Sequence, residues 1–184
     1  MNKTAKLRLF FGLEIPESIK QRLLSIQQPV AGARWQHADQ LHLTLAFLGS
    51  VEAQQLSDIC QAARNLPVKP FDLTVAGVGC FGHPDCPKNL WAGVQPVAEL
   101  ARLHGALNQR LAASGFGPEK RSFKPHITLA RFKKAPGSVA DLLRDPDTLV
   151  AGSFTVNRIA LFESTQGRYG SVYRVLEWFP LIAS

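Results

Sequence analysis

The sequence contains little cysteine and no long apolar segment. Its three cysteines, Cys60, Cys80 and Cys86, are odd in number and lack the spacing of a disulfide framework. Sparse thiols favour a reducing compartment over secretion, so we expect a cytoplasmic protein. No apolar run approaches the ~18 residues needed to cross a bilayer, and the apolar stretch 9–13 is too short for the core of a signal peptide. Neither a membrane location nor a secretory leader is therefore expected.

Glycine, proline and charged residues are also modest in number. The chain has 14 glycines, 12 prolines, 19 % charged residues and 46 % hydrophobic residues. This composition excludes a disordered, collagen-like or low-complexity protein. A chain of 184 residues and 20.2 kDa buries roughly 70 % of its unfolded surface on folding. We therefore expect one folded domain whose core needs no disulfide or metal.

Acidic residues are the scarcer charged type. There are 14 of them against 21 lysines and arginines, which leaves a formal net charge of +7. A basic surplus favours anionic partners, and nucleic acid is favoured over a membrane because no basic amphipathic helix stands out.

Strand and helix patterns alternate along the chain. Helices are predicted to begin at Pro16 and Pro96, because proline suits the first helical turn, and after Ser50, which can cap a helix. Gly115 is expected to end the long helix that begins at Pro96, and a short helix is predicted over 138–143. Segments rich in β-forming residues predict strands at 7–15, 41–48, 71–78, 90–94, 126–132, 154–162 and 173–178.

Two of the predicted strands share a local pattern. Leu-His-Leu-Thr-Leu-Ala occupies 41–46 and Pro-His-Ile-Thr-Leu-Ala occupies 125–130. A helix pattern precedes and follows each copy, which favours an internal duplication over chance similarity. We therefore predict a single α+β domain made of two related halves, approximately 1–87 and 88–184.

The repeated pattern places His and Thr on one face of each strand. Side chains alternate along a strand, so His42 and Thr44 point away from the leucines between them, and His126 and Thr128 do the same. A single His-x-Thr is typical of an ordinary outer sheet face. Two copies in a duplicated chain predict that both faces meet at one cleft.

Two imidazoles at one cleft suit in-line displacement at phosphorus. A neutral histidine accepts a proton from the attacking oxygen while a protonated one donates a proton to the leaving oxygen. Histidine suits both roles because its ordinary pKa lies near neutrality. A nearby threonine hydroxyl can donate to a non-bridging phosphate oxygen.

The paired motifs resemble the two H-x-T-x signatures of the 2H phosphoesterases. The opening strand Arg-Leu-Phe-Phe-Gly-Leu-Glu-Ile-Pro at 8–16 and the chain length are similar, more narrowly, to the bacterial LigT-like group, the RNA 2′,3′-cyclic phosphodiesterases also called 2′-5′ RNA ligases. The resemblance covers nearly the whole chain. It implies a bilobal α+β fold, with two pseudo-symmetric lobes whose antiparallel sheets face a central cleft and whose helices lie outside.

The resemblance also implies an activity and roles for individual residues. The expected reaction is hydrolysis of an RNA 2′,3′-cyclic phosphate end to a 2′-phosphate, with reversible 2′-5′ ligation as an additional activity. His42 is expected to be the proton donor, His126 the proton acceptor, and Thr44 and Thr128 the phosphate ligands. Expected partners are RNA with a cyclic phosphate end or a small cyclic nucleotide, with no membrane, no metal and no other cofactor, and the protein is expected to be a monomer.

Charge near the second motif offers a separate argument for the same roles. Several lysines and arginines lie between 119 and 134, and nearby positive charge disfavours a protonated imidazole. His126 is therefore predicted to be the neutral base, with Lys124 as the main contributor, and His42 the protonated acid. Arg131 has the opposite strand parity, so it reaches the cleft only if the strand bends; otherwise it lies at a solvated strand end.

Further candidates are aromatic or basic. The basic run can guide an RNA backbone or only solvate a face. Phe11 is a candidate substrate-binding residue, and Trp35, Phe123 and Tyr169 are further aromatics that can stack on a base. Most aromatic residues in such a chain belong to the core.

Two alternatives stay open. The segment Cys80-x-x-His83-x-x-Cys86 has three potential zinc ligands, but a structural site needs a fourth, and we interpret the segment as a turn-rich loop. A non-catalytic nucleotide-binding or RNA-binding module would use the same cleft for phosphate recognition alone. Turnover that depends on pH would distinguish an enzyme from such a module.

Overall fold

The computed structural model describes residues 5–117 and 119–182. Its strands are β1 (Lys6–Glu14), β2 (Ala33–Trp35), β3 (His42–Glu52), β4 (Phe71–His83), β5 (Cys86–Gln95), β6 (Ile127–Phe132), β7 (Val150–Val156), β8 (Arg158–Gly167) and β9 (Gly170–Pro180). Its α-helices are α1 (Glu17–Ser25), α2 (Leu56–Ala63), α3 (Val97–Ala113) and α4 (Ala140–Arg144). None of the described helices is both long and apolar enough to cross a membrane.

The strands form one continuous antiparallel sheet. Its order is β7-β4-β5-β6-β3-β1-β8-β9, and β2 pairs with β6 beside this path. The strands fall into two groups that meet where β3 and β6 pair through Leu43 and Ile127. The predicted α+β class with antiparallel strands and outer helices is therefore confirmed.

The two groups of strands are interleaved along the chain. β4 belongs to the same group as β5, β6 and β7, whereas β8 and β9, which come last in the chain, belong to the group of β1, with β8 paired to β1. The boundary proposed at 87/88 falls inside β5. The two halves of the sheet are therefore not the two halves of the sequence.

The helices cover one face of the sheet and leave the other open. On β3, Leu43 and Leu45 are buried, while His42 and Thr44, which alternate with them, are only half-buried. α3 carries a buried stripe at helical spacing and contacts β3. That stripe consists of Leu100, Leu103, Leu107 and Leu111.

A β-bulge follows the His-Thr pair on both central strands. Between Thr44 and Phe47, β3 has one residue more than β1 across from it, and β6 has the same excess over β5 between Thr128 and Arg131. The adjacent Leu-Ala residues at 45–46 and 129–130 are all buried. Because a bulge shifts the alternation by one residue, Phe47 and Arg131 lie on the open face with the histidines.

Several elements differ from the predicted ones. β3 continues to Glu52, so Ser50 pairs with Arg8 and does not cap a helix; α2 begins only at Leu56. The segment expected to be a turn-rich loop at 79–88 mostly continues the β4–β5 hairpin. The short strand β2 was not predicted, because three residues give too little periodicity.

Candidate active site

The two histidines lie on either side of the β3–β6 junction. Leu43 and Ile127 are paired antiparallel partners, so the residues that flank them alternate to the open face. Extending this register by one residue places His42 across from Thr128 and Thr44 across from His126. Thr44 accordingly lines the cavity that contains His126.

Both imidazoles are oriented by the same kind of backbone contact. His42 Nδ1 lies 2.8 Å from the carbonyl oxygen of Gln40, and His126 Nδ1 lies 2.6 Å from that of Lys124. A carbonyl oxygen can only accept, so Nδ1 is the nitrogen that donates in each ring. Nε2 is therefore left to exchange a proton at the open face, and His42 Nε2 is 3.1 Å from Thr44 Oγ1.

Aromatic side chains surround both imidazoles. The ring centroid of His42 lies 4.8 Å from those of Phe10 and Tyr173. The ring centroid of His126 lies 5.0 Å from that of Phe81, with the two rings nearly perpendicular. These aromatic rings cover part of each imidazole and keep water from it, and they also line the cavities that open at the histidines.

Burial lowers the pKa of both histidines. Desolvation, the largest cause, together with smaller repulsion from Arg131, His126 and Lys20, lowers the pKa of His42 from 6.5 to about 4, against a raising effect from the Gln40 carbonyl. Desolvation also lowers the pKa of His126, and Arg131 adds to the effect.

These causes overturn the charge argument drawn from the sequence. Lys124 was expected to lower the pKa of His126, but its carbonyl accepts a hydrogen bond from that ring and raises the pKa, and the cation that lowers it is Arg131. The larger lowering falls on His42, the residue expected to protonate more readily. The argument failed because burial, which sequence charge does not show, has a larger effect than the surrounding cations.

Two adjoining cavities open at the histidines. One, of about 450 Å³, is lined by Thr44, Phe81, His126 and the segment 121–124. The other, of about 320 Å³, is lined by His42, Thr44 and Arg131 among others. Thr44 is common to both, so the cavities meet at the threonine that lies beside His42. Together they are large enough for a nucleotide-sized ligand.

The remaining predicted residues divide into those at the cleft and those away from it. Lys124 is exposed and lines the cavity beside His126, whereas Arg131 reaches the cavity beside His42 because of the bulge. Thr128 is half-buried on β6 and pairs with Trp91. Phe11 has no exposed surface and packs against Phe179 in the core, so its prediction as a substrate-binding residue is wrong.

The other aromatic candidates have different surroundings. Phe123 lines the cavity beside His126 and stacks on His104 with ring centroids 4.0 Å apart. Trp35 donates its indole N–H to the Gln28 carbonyl at 3.0 Å. Tyr169 is 75 % exposed at the turn between β8 and β9.

The proposed metal-ligand segment forms the end of the β4–β5 hairpin. Cys80 pairs with Leu90 well before the turn, and His83 pairs with Cys86 across it. Among the residues that the structure describes, no group of three His, Cys, Asp or Glu side chains is close enough to hold a metal ion. The zinc alternative therefore has no structural support in this segment.

The sequence matches a known protein family. The family model of LigT like phosphoesterases matches residues 13–91 and 93–173. The chain belongs to this family. It is therefore an enzyme of the phosphoesterase class, and both His-x-Thr strands lie within the matched segments.

Relatives are similar over nearly the whole chain. An RNA 2′,3′-cyclic phosphodiesterase from Archaeoglobus fulgidus is 31 % identical over 94 % of this chain and 99 % of its own. One from Thermotoga maritima is 33 % identical over 92 % of this chain and 93 % of its own. The crystal structure of Escherichia coli LigT complexed with 3′-AMP is 29 % identical, covers 97 % of this chain and all of the other, and has a TM-score of 0.78.

Several residues of this LigT-like site were not found by sequence reasoning. Tyr173 and Phe10 contact His42, and Arg8 and Phe47 line the same cavity. Tyr173 lies on β9, far from either motif in the sequence, so no local pattern could place it. Phe47 could have been found by aligning the two motifs, because it occupies the position that Arg131 has in the second copy.

Proposed function

We propose that this chain hydrolyses RNA 2′,3′-cyclic phosphate ends to 2′-phosphates by acid–base catalysis with His42 and His126. The observation that carries the proposal is the matched orientation of the two imidazoles, since each Nδ1 bonds to a carbonyl two residues earlier and leaves Nε2 at the cleft. The curated relatives, which are named RNA 2′,3′-cyclic phosphodiesterases, support the substrate.

The reaction is an in-line displacement at phosphorus. His126 Nε2 accepts a proton from water as the water oxygen bonds to phosphorus. The bond between phosphorus and O3′ breaks, and O3′ takes the proton from His42 Nε2. The product carries a 2′-phosphate and a 3′-hydroxyl, and the two imidazoles have exchanged protonation states, which solvent then restores.

The order of the two roles rests on the family resemblance. Local electrostatics do not support it, because the larger lowering of pKa falls on the proposed donor, His42. A bound phosphate anion beside both rings raises their pKa and favours the protonated donor. Thr44, Thr128 and the guanidinium of Arg131 are the proposed contacts for the non-bridging oxygens, and Lys124 is a proposed contact for the RNA near His126.

The same geometry extends to related substrates. A ribose 5′-hydroxyl in place of the attacking water gives ligation: its oxygen bonds to phosphorus, the bond to O3′ breaks, O3′ takes the proton from His42, and the two RNA ends are joined by a 2′-5′ linkage. A small 2′,3′-cyclic nucleotide contains every reacting atom and is the minimal substrate. The protein acts as a monomer in this proposal, since both histidines and both cavities belong to one chain.

The test uses an oligonucleotide that ends in a 2′,3′-cyclic phosphate, incubated with the protein in EDTA. We expect a 2′-phosphate product, and we expect His42→Ala and His126→Ala each to lower turnover at least ~10²-fold, the usual effect of losing a general acid or base. Thr44→Ala and Thr128→Ala should each lower turnover by a smaller factor.

His83→Ala is the matched control, because His83 is an exposed histidine at the β4–β5 turn. Its turnover should equal that of the unmodified protein. Binding of the oligonucleotide without any turnover would support the binding module and refute the enzyme. Full activity in both histidine variants would refute the mechanism.

A further inference from the structure

Arginines on β2 and β6 form a basic patch next to the cavity beside His42. Arg34 of β2 pairs directly with Arg131 of β6 in the antiparallel register. Directly opposed side chains lie on the same face with Cβ atoms about 4.5–5.5 Å apart, and like charges in such a pair are destabilising. In the described part of the chain, neither guanidinium has a carboxylate partner, unlike Arg64, Arg158 and Arg174. The pair is therefore suited to an anion.

The patch continues onto the turn between β8 and β9. The Arg34 guanidinium packs over Gly170 so closely that a Cβ built on this glycine would lie 2.4 Å from Nη2. Gly170 also has a φ of +124°, a conformation that L side chains rarely adopt. Only glycine fits here, and its lack of a side chain lets the Arg34 guanidinium pack against the hairpin.

The same hairpin is attached to the catalytic cavity. The side chain of Gln40 donates a hydrogen bond to the Ser171 carbonyl at 2.9 Å. The backbone carbonyl of the same residue accepts the hydrogen bond that orients His42. Ser171 itself lines the cavity that contains His42 and Arg131. The turn therefore lies directly beside the place where the terminal phosphate is proposed to bind.

The turn presents an aromatic ring and a cation to solvent. Tyr169 is 75 % exposed, and the Arg168 guanidinium lies 5.4 Å from the centre of its ring. An exposed aromatic ring beside arginine is the usual platform for a base of single-stranded nucleic acid, because stacking tolerates any base and the guanidinium contacts phosphate.

We propose that Arg34, Arg168 and Tyr169 bind the nucleotides that precede the terminal cyclic phosphate. This surface, which we call the upstream patch, makes a single-stranded oligoribonucleotide the preferred substrate over a cyclic mononucleotide. The inference rests on the proposed function, because it deepens the substrate of the same site. Arg131 forms the link, since it lines the cavity and pairs with Arg34.

The first test compares KM for a trinucleotide ending in a cyclic phosphate with KM for adenosine 2′,3′-cyclic phosphate. Stacking contributes about 1–3 kcal/mol per base, and about 1.4 kcal/mol corresponds to a tenfold change in a binding constant. We expect Tyr169→Ala to raise KM for the trinucleotide about tenfold and to leave KM for the mononucleotide unchanged.

Trp178→Ala is the matched control for the loss of an exposed aromatic ring. Trp178 lies at the other end of the same hairpin and also has a guanidinium, that of Arg158, 5.0 Å from its ring. Arg158 is neutralised by Glu14. We expect neither KM to change in this variant, provided that thermal unfolding shows it to be folded.

The second test measures the charge contribution. Arg34→Gln and Arg168→Gln should each reduce the slope of log affinity against log salt by about 0.7, the value for one lost phosphate contact on a single strand. Arg102→Gln, which removes an exposed arginine from α3, should leave the slope unchanged. Arg168→Gln is the safer variant, because Arg34 also packs on Gly170.

Direct binding separates this inference from the proposed function. The probe is a 5′-labelled trinucleotide that ends in a 2′-phosphate, followed by fluorescence anisotropy, which needs no turnover. If the unmodified protein hydrolyses neither substrate but binds the probe more tightly than Tyr169→Ala does, the proposed function is refuted and the upstream patch is supported. If hydrolysis of both substrates is normal and the ratio of their KM values is unchanged in the Tyr169, Arg34 and Arg168 variants, the upstream patch is refuted.

Discussion

The low pKa of His42 makes a quantitative prediction about ligand binding. Desolvation and neighbouring cations lower this pKa from 6.5 to about 4. One pKa unit corresponds to about 1.4 kcal/mol, so the protein disfavours the protonated ring by about 3 kcal/mol. At neutral pH the free enzyme therefore holds His42 in the neutral form, which cannot donate a proton to a leaving oxygen.

An anion at the cleft offsets this cost. A unit negative charge about 4 Å from the imidazolium contributes about 4 kcal/mol at an effective dielectric constant of about 20. This is close to the cost of protonation, so a bound phosphate should return the pKa of His42 to near its ordinary value. We expect the substrate itself to generate the proton donor.

The assay is an NMR titration of the histidine side chains, with sulfate as the anion because its charge is constant across the relevant pH range. The sequence has five histidines, and the His42→Gln spectrum identifies the resonance of His42. We expect it to titrate near pH 4 in the free protein and to rise by at least about one unit in saturating sulfate.

Two results would refute the reasoning. A free-state pKa of His42 at or above about 6 would mean that burial does not disfavour the charge as the aromatic wall implies. A pKa that stays near 4 with sulfate bound would remove the route by which the substrate protonates the donor. In the second case, the roles of the two histidines would have to be exchanged.

Three further predictions follow from the same contacts. The folded-state pKa of His42 lies below its unfolded value, so its contribution to stability is complete above about pH 6.5 and is lost as pH falls toward 4. Measured by urea unfolding between about pH 7.5 and pH 4.5, the free energy of unfolding should fall by about 2.5 kcal/mol more in the unmodified protein than in His42→Gln, and equal decreases would contradict this. Arg131→Gln should raise the pKa of both His42 and His126 and move the acidic limb of the kcat/KM profile to higher pH. Lys124→Gln should leave that limb in place, because Lys124 contacts the His126 ring through its backbone carbonyl; the reverse pattern would restore the charge argument from sequence. Gly79→Ala would place a Cβ 2.2 Å from the Trp91 ring, so thermal unfolding should report a loss of about 1–3 kcal/mol from overpacking, and an unchanged Tm would show that the ring has room to move.

The duplicated motif predicted the centre of the fold well. Alternation alone places His42 and Thr44 on the face opposite to the buried leucines, and the structure has them there. The sequence could not show that β8 and β9 return to the first strand group, because that pairing depends on contacts far apart in the chain. Tyr173 therefore reaches His42 from a strand that carries no motif.

The bulges show a second limit of periodicity. Strict alternation places Arg131 on the buried face, and only the extra residue in β6 moves it to the cleft. The burial of Leu129 and Ala130 in succession marks this shift, but in the sequence both simply continue an apolar strand. Phe11 failed for the opposite reason, since β1 lies in the middle of the sheet and its open face carries Phe10 instead.

The two halves of the site are alike in backbone and different in charge. Each central strand carries His, Thr and, after the bulge, one more residue on its open face, and that residue is Phe47 in one copy and Arg131 in the other. Arg8 lies 4.8 Å from the centre of the Phe47 ring, whereas Arg131 acts on the pKa of both histidines. A second arginine at position 47 would add repulsion to imidazoles that burial already keeps neutral. Arg131 therefore brings positive charge to the proposed phosphodiester from one copy only, and Arg8 of β1 is a second cation that lines the same cavity.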